Sequence, residues 1–436
     1  MCNRTMKPAI DASMTLRGRH RRPRSPEKGH FHEYRTRNIG PHPRHLGHRV
    51  LCPTGLTGTS MGATRPQSAA DAGPLYALVC GPLTRWLVHR LNGRPTVAQP
   101  PPTRAIDPLT SVDYQRTLHL LYELDFRDVA GVNPDWERDR VILDFRARLE
   151  DGFLTAVMAL VAADGGERWV RQASIDGPGP TLDALLVEFD GPSLSTFMAE
   201  QGDRDQFLEF MIHRSAYQLK EADPHTFGLP RLVPGPRKAA YAEIQFDEYG
   251  GGAPGRSHAE LFAQAMAAAG LDSTYGHYID VLPAITLATG NLLSLFAARR
   301  RFLPHLVGHL ALFEMTSVAP MTRYAAAAAR LRFAPPVRAF YDVHVEADEH
   351  HGRLAREVLL GVSSDSSPPG TDGLDAGEMF TGAHALLLVE DRFARHLLER
   401  WKAGRSSLHH MDPVDETNQA PVAHGLGSCL PADHRA

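Results

Sequence analysis

The stretch Phe340–Leu360, FYDVHVEADEHHGRLAREVLL, decides how the rest of the chain is read. It carries His344, Asp348 and His351, spaced four and three positions apart. On a helix those steps return to one face, so three metal-capable side chains point the same way. No glycine or proline interrupts the run before Gly352, and good helix formers follow it. The plain alternative is a surface histidine beside a solvated Asp348, with Glu346 and Glu349 as neighbours. That face would then carry no apolar residue for two turns, which favours a ligand role. Neutral histidine with carboxylates suits iron, manganese or zinc.

Other residues of the same chemistry lie upstream. Glu248 stands just before the triplet Gly250–Gly252, and His258 follows ten positions after it. Glu314 sits in the apolar run HLALFEMTSV, among Leu310, Leu312, Phe313 and Met315. A carboxylate there is costly to bury unpaired. Either a metal or an arginine from another helix (Arg299, Arg300 or Arg301) would satisfy it. Several carboxylates at one site favour a dinuclear centre built inside a helical bundle. His305 and His309 are spaced as a pair but face away from Glu314, and read as satisfied or exposed. Tyr217, Tyr249 and Tyr341 lie close to these segments and read as core packing.

Composition narrows the alternatives. The chain has 436 residues, 43% of them apolar, and a formal charge of −3, enough for a sizeable core and too balanced to advertise an anionic partner. Its four cysteines form no CxxC pair, so a thiolate site or a disulfide framework is not expected, and 23 histidines are the available nitrogen ligands. HExxH, GxGxxG, P-loop and GxSxG patterns are absent, which leaves metalloprotease, dinucleotide, phosphoryl-transfer and serine-esterase readings without support.

The first fifty residues are basic, as in RGRHRRPRSPEKGH, and lack apolar periodicity. A basic arm for nucleic acid or membrane is one reading. A disordered leader, or sequence upstream of a true start at Met61, is the preferred one, because nothing aromatic interleaves the charges. No apolar core of a secretory signal follows the basic residues. The run Leu75–Val88 is too short for a membrane span and is broken by Pro82 and Arg85. A cytoplasmic protein without membrane or nucleic-acid partners is expected.

Arg94–Pro108 is proline-rich and reads as a linker. The domain expectation is therefore a leader and linker over 1–110, a helical domain over 111–402 and a disordered tail over 403–436. Within the domain, seven to nine helices are expected, with short strands conceivable around Trp169 and Leu186. One helix runs from Pro236 to Tyr249 and is stopped by the glycine triplet; the next is capped by Ser257 and closes at Gly270. Asp365–Asp375 reads as a loop before a last amphipathic helix. The fold class is all-α.

The ordered set Glu248, His258, Glu314, His344, Asp348 and His351 resembles the heme-oxygenase-like diiron oxidase and oxygenase superfamily, in its bacterial "iron-containing redox enzyme" branch. HRSAYQLKEADPH, EIQFDEYGGG, GHLALFEMTS and HVEADEHH carry the resemblance. It implies a heme-oxygenase-like helical bundle with extra N-terminal helices, in which those six residues hold two ferrous ions that activate O2. Some members add a carboxylate from an earlier helix; Glu221, or Asp247 beside Glu248, would fill that role, although a helix-end ion pair with Lys220 also accounts for Glu221. The resemblance further implies a small organic substrate (an amine, amino acid or acyl compound), an external reductant, compatibility with a homodimer, and a mobile His344 helix. The pocket is expected among Leu292–Phe296 and Leu306–Phe313. The alternative function is a non-catalytic iron-binding bundle.

Overall fold

The computed structural model describes residues 78–361 and 373–409, apart from 95, 97, 98, 128 and 130. The described part begins well before Ser111. Helix α1, Pro82–Leu91, places Leu83, Trp86, Leu87, Val88 and Leu91 in the core. Each such side chain contributes roughly 1.5–3 kcal/mol. Pro82, read as a breaker, sits in the first turn, where its missing N–H has no helical partner to lose. Asp113 caps this helix from the next one: its carboxylate accepts from the backbone N–H groups of Leu83 at 2.8 Å and Thr84 at 2.9 Å. The boundary expected at Ser111 is thus too late. Only residues near 92–110 connect as a linker, and the basic leader lies outside the described residues.

The chain continues as α2 (Val112–Phe126), α3 (Arg140–Ala163), α4 (Gly166–Asp176), α5 (Pro178–Glu188), α6 (Leu194–Glu200), α7 (Arg204–Gln218) and α8 (Asp223–Thr226). Then come α9 (Pro236–Glu248), α10 (His258–Ala269), α11 (Ala284–Ala298), α12 (Leu303–Thr316), α13 (Val318–Arg330), α14 (Pro335–Leu354) and α15 (Ala376–Lys402). No strand occurs among the described residues. Trp169 and Leu186, where strands were conceivable, lie on α4 and α5; Trp169 stacks on Phe380 of α15 with ring centroids 6.2 Å apart. The helices outnumber the expected seven to nine because prolines and N-capping residues restart the chain within runs that are apolar throughout. Pro304 opens α12, and Ser317 separates it from α13.

Two apolar clusters share the bundle. One joins α1–α3, α7, α10, α11 and the Phe340 turn of α14; the other joins α4, α5, α9, α12 and α15. Helices α12 and α15 lie so close that a methyl at Gly308 would strike the Met379 carbonyl, and one at Gly382 the backbone of His305. The expected tail is also partly built. Ser407 is buried, its hydroxyl 2.9 Å from His213 Nε2, and the His409 amide donates to Val281 O at 2.8 Å. Residues 410–436 and the loop expected around 365–372 fall outside the described residues. No helix among the described residues is long and apolar enough to cross a membrane.

Candidate metal centre

Glu248 is the last residue of α9 and His258 the first of α10. Between them Gly250, Gly251 and Gly252 all take positive φ, at 78°, 62° and 78°. At Gly250 a Cβ would lie 2.6 Å from the Arg256 backbone, so only glycine lets the chain double back here. Ser257 then caps α10 through a capping box with Glu260. The reversal brings His258 Nδ1 within 2.8 Å of Glu248 Oε2.

Helix α14 supplies His344, Asp348 and His351 from one buried face, as their spacing predicts. Gly352 is no mere interruption. A Cβ there would come 2.9 Å from the Glu314 carbonyl oxygen, so this glycine lets α14 approach α12 and sets His351 Nδ1 3.4 Å from Glu314 Oε2. None of the three arginines weighed as partners satisfies Glu314: Arg299 binds Glu150 instead.

Glu221 follows α7. Its helix-end pairing with Lys220 fails, because Lys220 Nζ donates to Glu123 Oε1 of α2 at 2.5 Å. Glu221 instead turns inward, with Oε2 3.6 Å from His344 Nε2. The next residue, Ala222, has φ of +75°, a region that non-glycine residues occupy only under strain, and it lines the same site. Asp247 does not join the cluster. It lies behind it, accepting from His351 Nε2 at 3.0 Å.

Two groups of ligand atoms result: Glu221, His258 and His344 in one, and Glu248, Glu314, Asp348 and His351 in the other, each with its atoms within 4.8 Å of one another. All seven residues are between 1% and 8% exposed. His258 and His344, from different helices, have ring centroids 4.2 Å apart. Outer contacts orient the imidazoles. His344 Nδ1 donates to the Phe340 carbonyl at 2.8 Å and His351 Nε2 to Asp247, which turns the other nitrogen of each ring inward.

The inward atoms do not satisfy one another. Glu221 Oε2, Glu248 Oε2, His258 Nδ1, His344 Nε2 and His351 Nδ1 are buried with no hydrogen-bond partner among the described residues. They are close in distance but not aligned as donor and acceptor. Atoms sharing one metal behave this way: ligands about 2.1 Å from an ion sit roughly 3.0–3.4 Å apart. Four carboxylates also match the charge of two divalent cations. The charges of the cluster act strongly on one another. Burial, with Asp348 and Glu248 nearby, pushes the Glu314 carboxyl up to about 8. Burial opposes charge on His344 and His351 too, but the surrounding carboxylates prevail and raise them to about 10 and 11. The Glu248 carboxyl, despite its burial, is held at about 2 by His258 and the other histidines.

Sequence reasoning missed His225. It borders the small void of about 20 Å³ at the cluster, with Tyr217 and Phe313, and its Nε2 lies 3.1 Å from His309 Nδ1. The His305–His309 pair is buried rather than exposed. The only available signal for His225 was its place in the segment HRSAYQLKEADPH. A more apolar cavity beside this void meets the expected stretch Leu306–Phe313 only at Leu312 and Phe313. It has a volume of about 300 Å³ and is lined by Leu312, Phe313 and Thr316 of α12, by Tyr341 of α14 and by residues of α6, α7, α13 and α15, and not by Leu292–Phe296.

Residues 208–375, which contain all seven converging side chains, match the family model described as "iron-containing redox enzyme". That segment is similar to the family over its own length, 168 of the 436 residues. Helices α1–α6 precede the matched segment. Nitrosourea synthase of Streptomyces achromogenes subsp. streptozoticus is 28% identical over 127 residues, which are 29% of this chain and 27% of that protein. The aligned stretch thus spans about a quarter of the relative's length. A solved structure, a CADD-like protein of unknown function from Nostoc punctiforme, is 14% identical with a TM-score of 0.37, covering 57% of this chain and 97% of that one.

Proposed function

We propose that the chain is a non-heme diiron oxidase or oxygenase acting on a small organic substrate. The observation that carries this reading is the convergence of five buried, unpartnered ligand atoms between two histidine–carboxylate groups. Glu221, His258 and His344 would hold one iron, Glu314, Asp348 and His351 the other, with Glu248 between them. Two ferrous ions bound there would supply the electrons that reduce O2 as a substrate is oxidised, with an external reductant closing the cycle.

The protein's own part is positioning and exclusion. Asp247 and the Phe340 carbonyl fix the imidazole rings before any metal arrives, so little reorganisation accompanies binding. Phe313, Leu310 and Met321 border the void and keep water from the carboxylates, which strengthens every charge interaction inside. His225, buried and held neutral at about 3, adds no competing charge. The match of residues 208–375 to the iron-containing redox enzyme model supports a redox role.

Anaerobic Fe(II) titration of the full chain, followed by O2 addition, tests the reading. Binding of two irons per chain, lost in His344→Ala and Glu314→Ala, is expected, with O2 consumption following. Absence of iron binding sinks it. Iron binding with no substrate-linked O2 consumption favours a non-catalytic iron-binding bundle.

A further inference from the structure

The cavity of about 300 Å³ beside the centre is walled mainly by Leu194, Phe210, Leu312, Met321, Leu386 and Phe393. Phe313, Ser317 and Met321 line both this cavity and the void at the carboxylates, so the two spaces share a wall. The volume lies at the lower end for small-molecule sites and admits on the order of ten non-hydrogen atoms or somewhat more.

Its polar content is small and mostly committed. Arg214 grips Glu390 through two hydrogen bonds of 2.9 and 2.7 Å, and Asp391 Oδ2 accepts from Arg395 at 2.8 Å. Among the fully buried side-chain atoms of the lining residues, Asp391 Oδ1 and the Tyr341 hydroxyl have no hydrogen-bond partner among the described residues. Asp391 also borders a separate hollow and keeps its other oxygen bonded. Tyr341 is different. It is 2% exposed and has a single hydroxyl, and that hydroxyl is buried and idle. Such a group destabilises the empty protein unless something else uses it. It stands on α14, three residues before His344.

We propose that this cavity binds a mainly apolar, uncharged molecule whose carbonyl oxygen accepts a hydrogen bond from Tyr341, making Tyr341 a specificity-determining residue. The wall charges are already paired, and Asp391 disfavours an anion, so a carboxylate is the poorer fit. What the bound molecule is used for rests on the oxidase reading; its binding does not.

The test uses the full chain freed of metal by a chelator, with calorimetric titration of 3-phenylpropanamide, butylbenzene and 3-phenylpropanoate. The amide binds tightest. Tyr341→Phe weakens the amide about 3- to 10-fold, leaves butylbenzene unchanged, and raises the thermal midpoint of the empty protein, because the idle hydroxyl is gone. A purely structural tyrosine would give no probe-selective loss and a lower midpoint. Leu387→Trp, which fills the cavity, weakens the amide and butylbenzene alike. Failure of all probes to bind wild type, unchanged amide affinity in Tyr341→Phe, or tighter binding of the acid than of the amide overturns the proposal. Fe(II) titration of the same samples separates the two claims: iron binding without probe binding sinks the cavity alone, and probe binding without iron binding sinks the centre alone.

Discussion

Glu248 Oε2 lies 2.8 Å from His258 Nδ1, yet the two atoms are not aligned as a hydrogen bond. Glu248 belongs to the four-residue group and His258 to the three-residue group, so this contact is the seam between them. Removing the carboxylate should therefore affect both halves. Glu248→Ala is expected to cut iron binding from two per chain to one or fewer. Equilibrium dialysis with metal analysis checks this, and two tight irons in the variant would remove Glu248 from the shared position.

Asp247 and Glu243 give a paired test on α9. Asp247 accepts from the buried His351 at 3.0 Å, whereas Glu243 accepts from the exposed His350 at 2.8 Å. Asp247→Asn is expected to weaken iron affinity about 10- to 100-fold with the fold intact. Glu243→Gln should leave affinity unchanged. Equal effects from the two substitutions would mean that neither acts through ring orientation.

The α12–α15 contact tests the packing that carries Glu314. Gly308→Ala and Gly382→Ala each force a methyl into facing backbone, and each should cost about 1–3 kcal/mol or more in denaturant unfolding. Gly290→Ala is the control. It lies on α11 with nothing near its added methyl, so it should be neutral or stabilise by about 0.5–1 kcal/mol.

Stability against pH follows from the buried histidines. Burial holds His119, His225 and His305 at about 4, 3 and 4. Below about pH 6.5 the unfolded chain therefore binds protons that the folded chain refuses, and stability falls on acidification, by up to about 1.4 kcal/mol per pH unit for each group. His344 and His351, raised to about 10 and 11 in the metal-free protein, act in the opposite sense: their contribution is complete below about 6.5 and fades as pH rises through their folded values. Glu314, raised to about 8, also disfavours the folded state as pH climbs from about 4.5 to 8. The metal-free chain should be most stable near pH 6.5. Urea midpoints at pH 5, 6.5 and 8.5 check this, and a flat profile would refute it. Because bound iron displaces these protons, loading should shift the maximum upward.

The sequence by itself determined the helical class, the single buried face of α14 and the glycine stop after Glu248, because each follows from local periodicity and backbone preference. It also held Glu221 and Asp247 as rival carboxylates, but it could not choose between them. That choice depends on Lys220 being drawn to Glu123, ninety-seven positions away, which leaves Glu221 free to turn inward. Likewise, nothing local marks Leu83–Leu91 as core until Asp113 caps it, or marks Tyr341 as anything but packing until the cavity beside it is seen. Spacing along one helix fixes which side chains share a face. Which faces meet, and which buried atoms are left without partners, is decided only when distant segments close on one another.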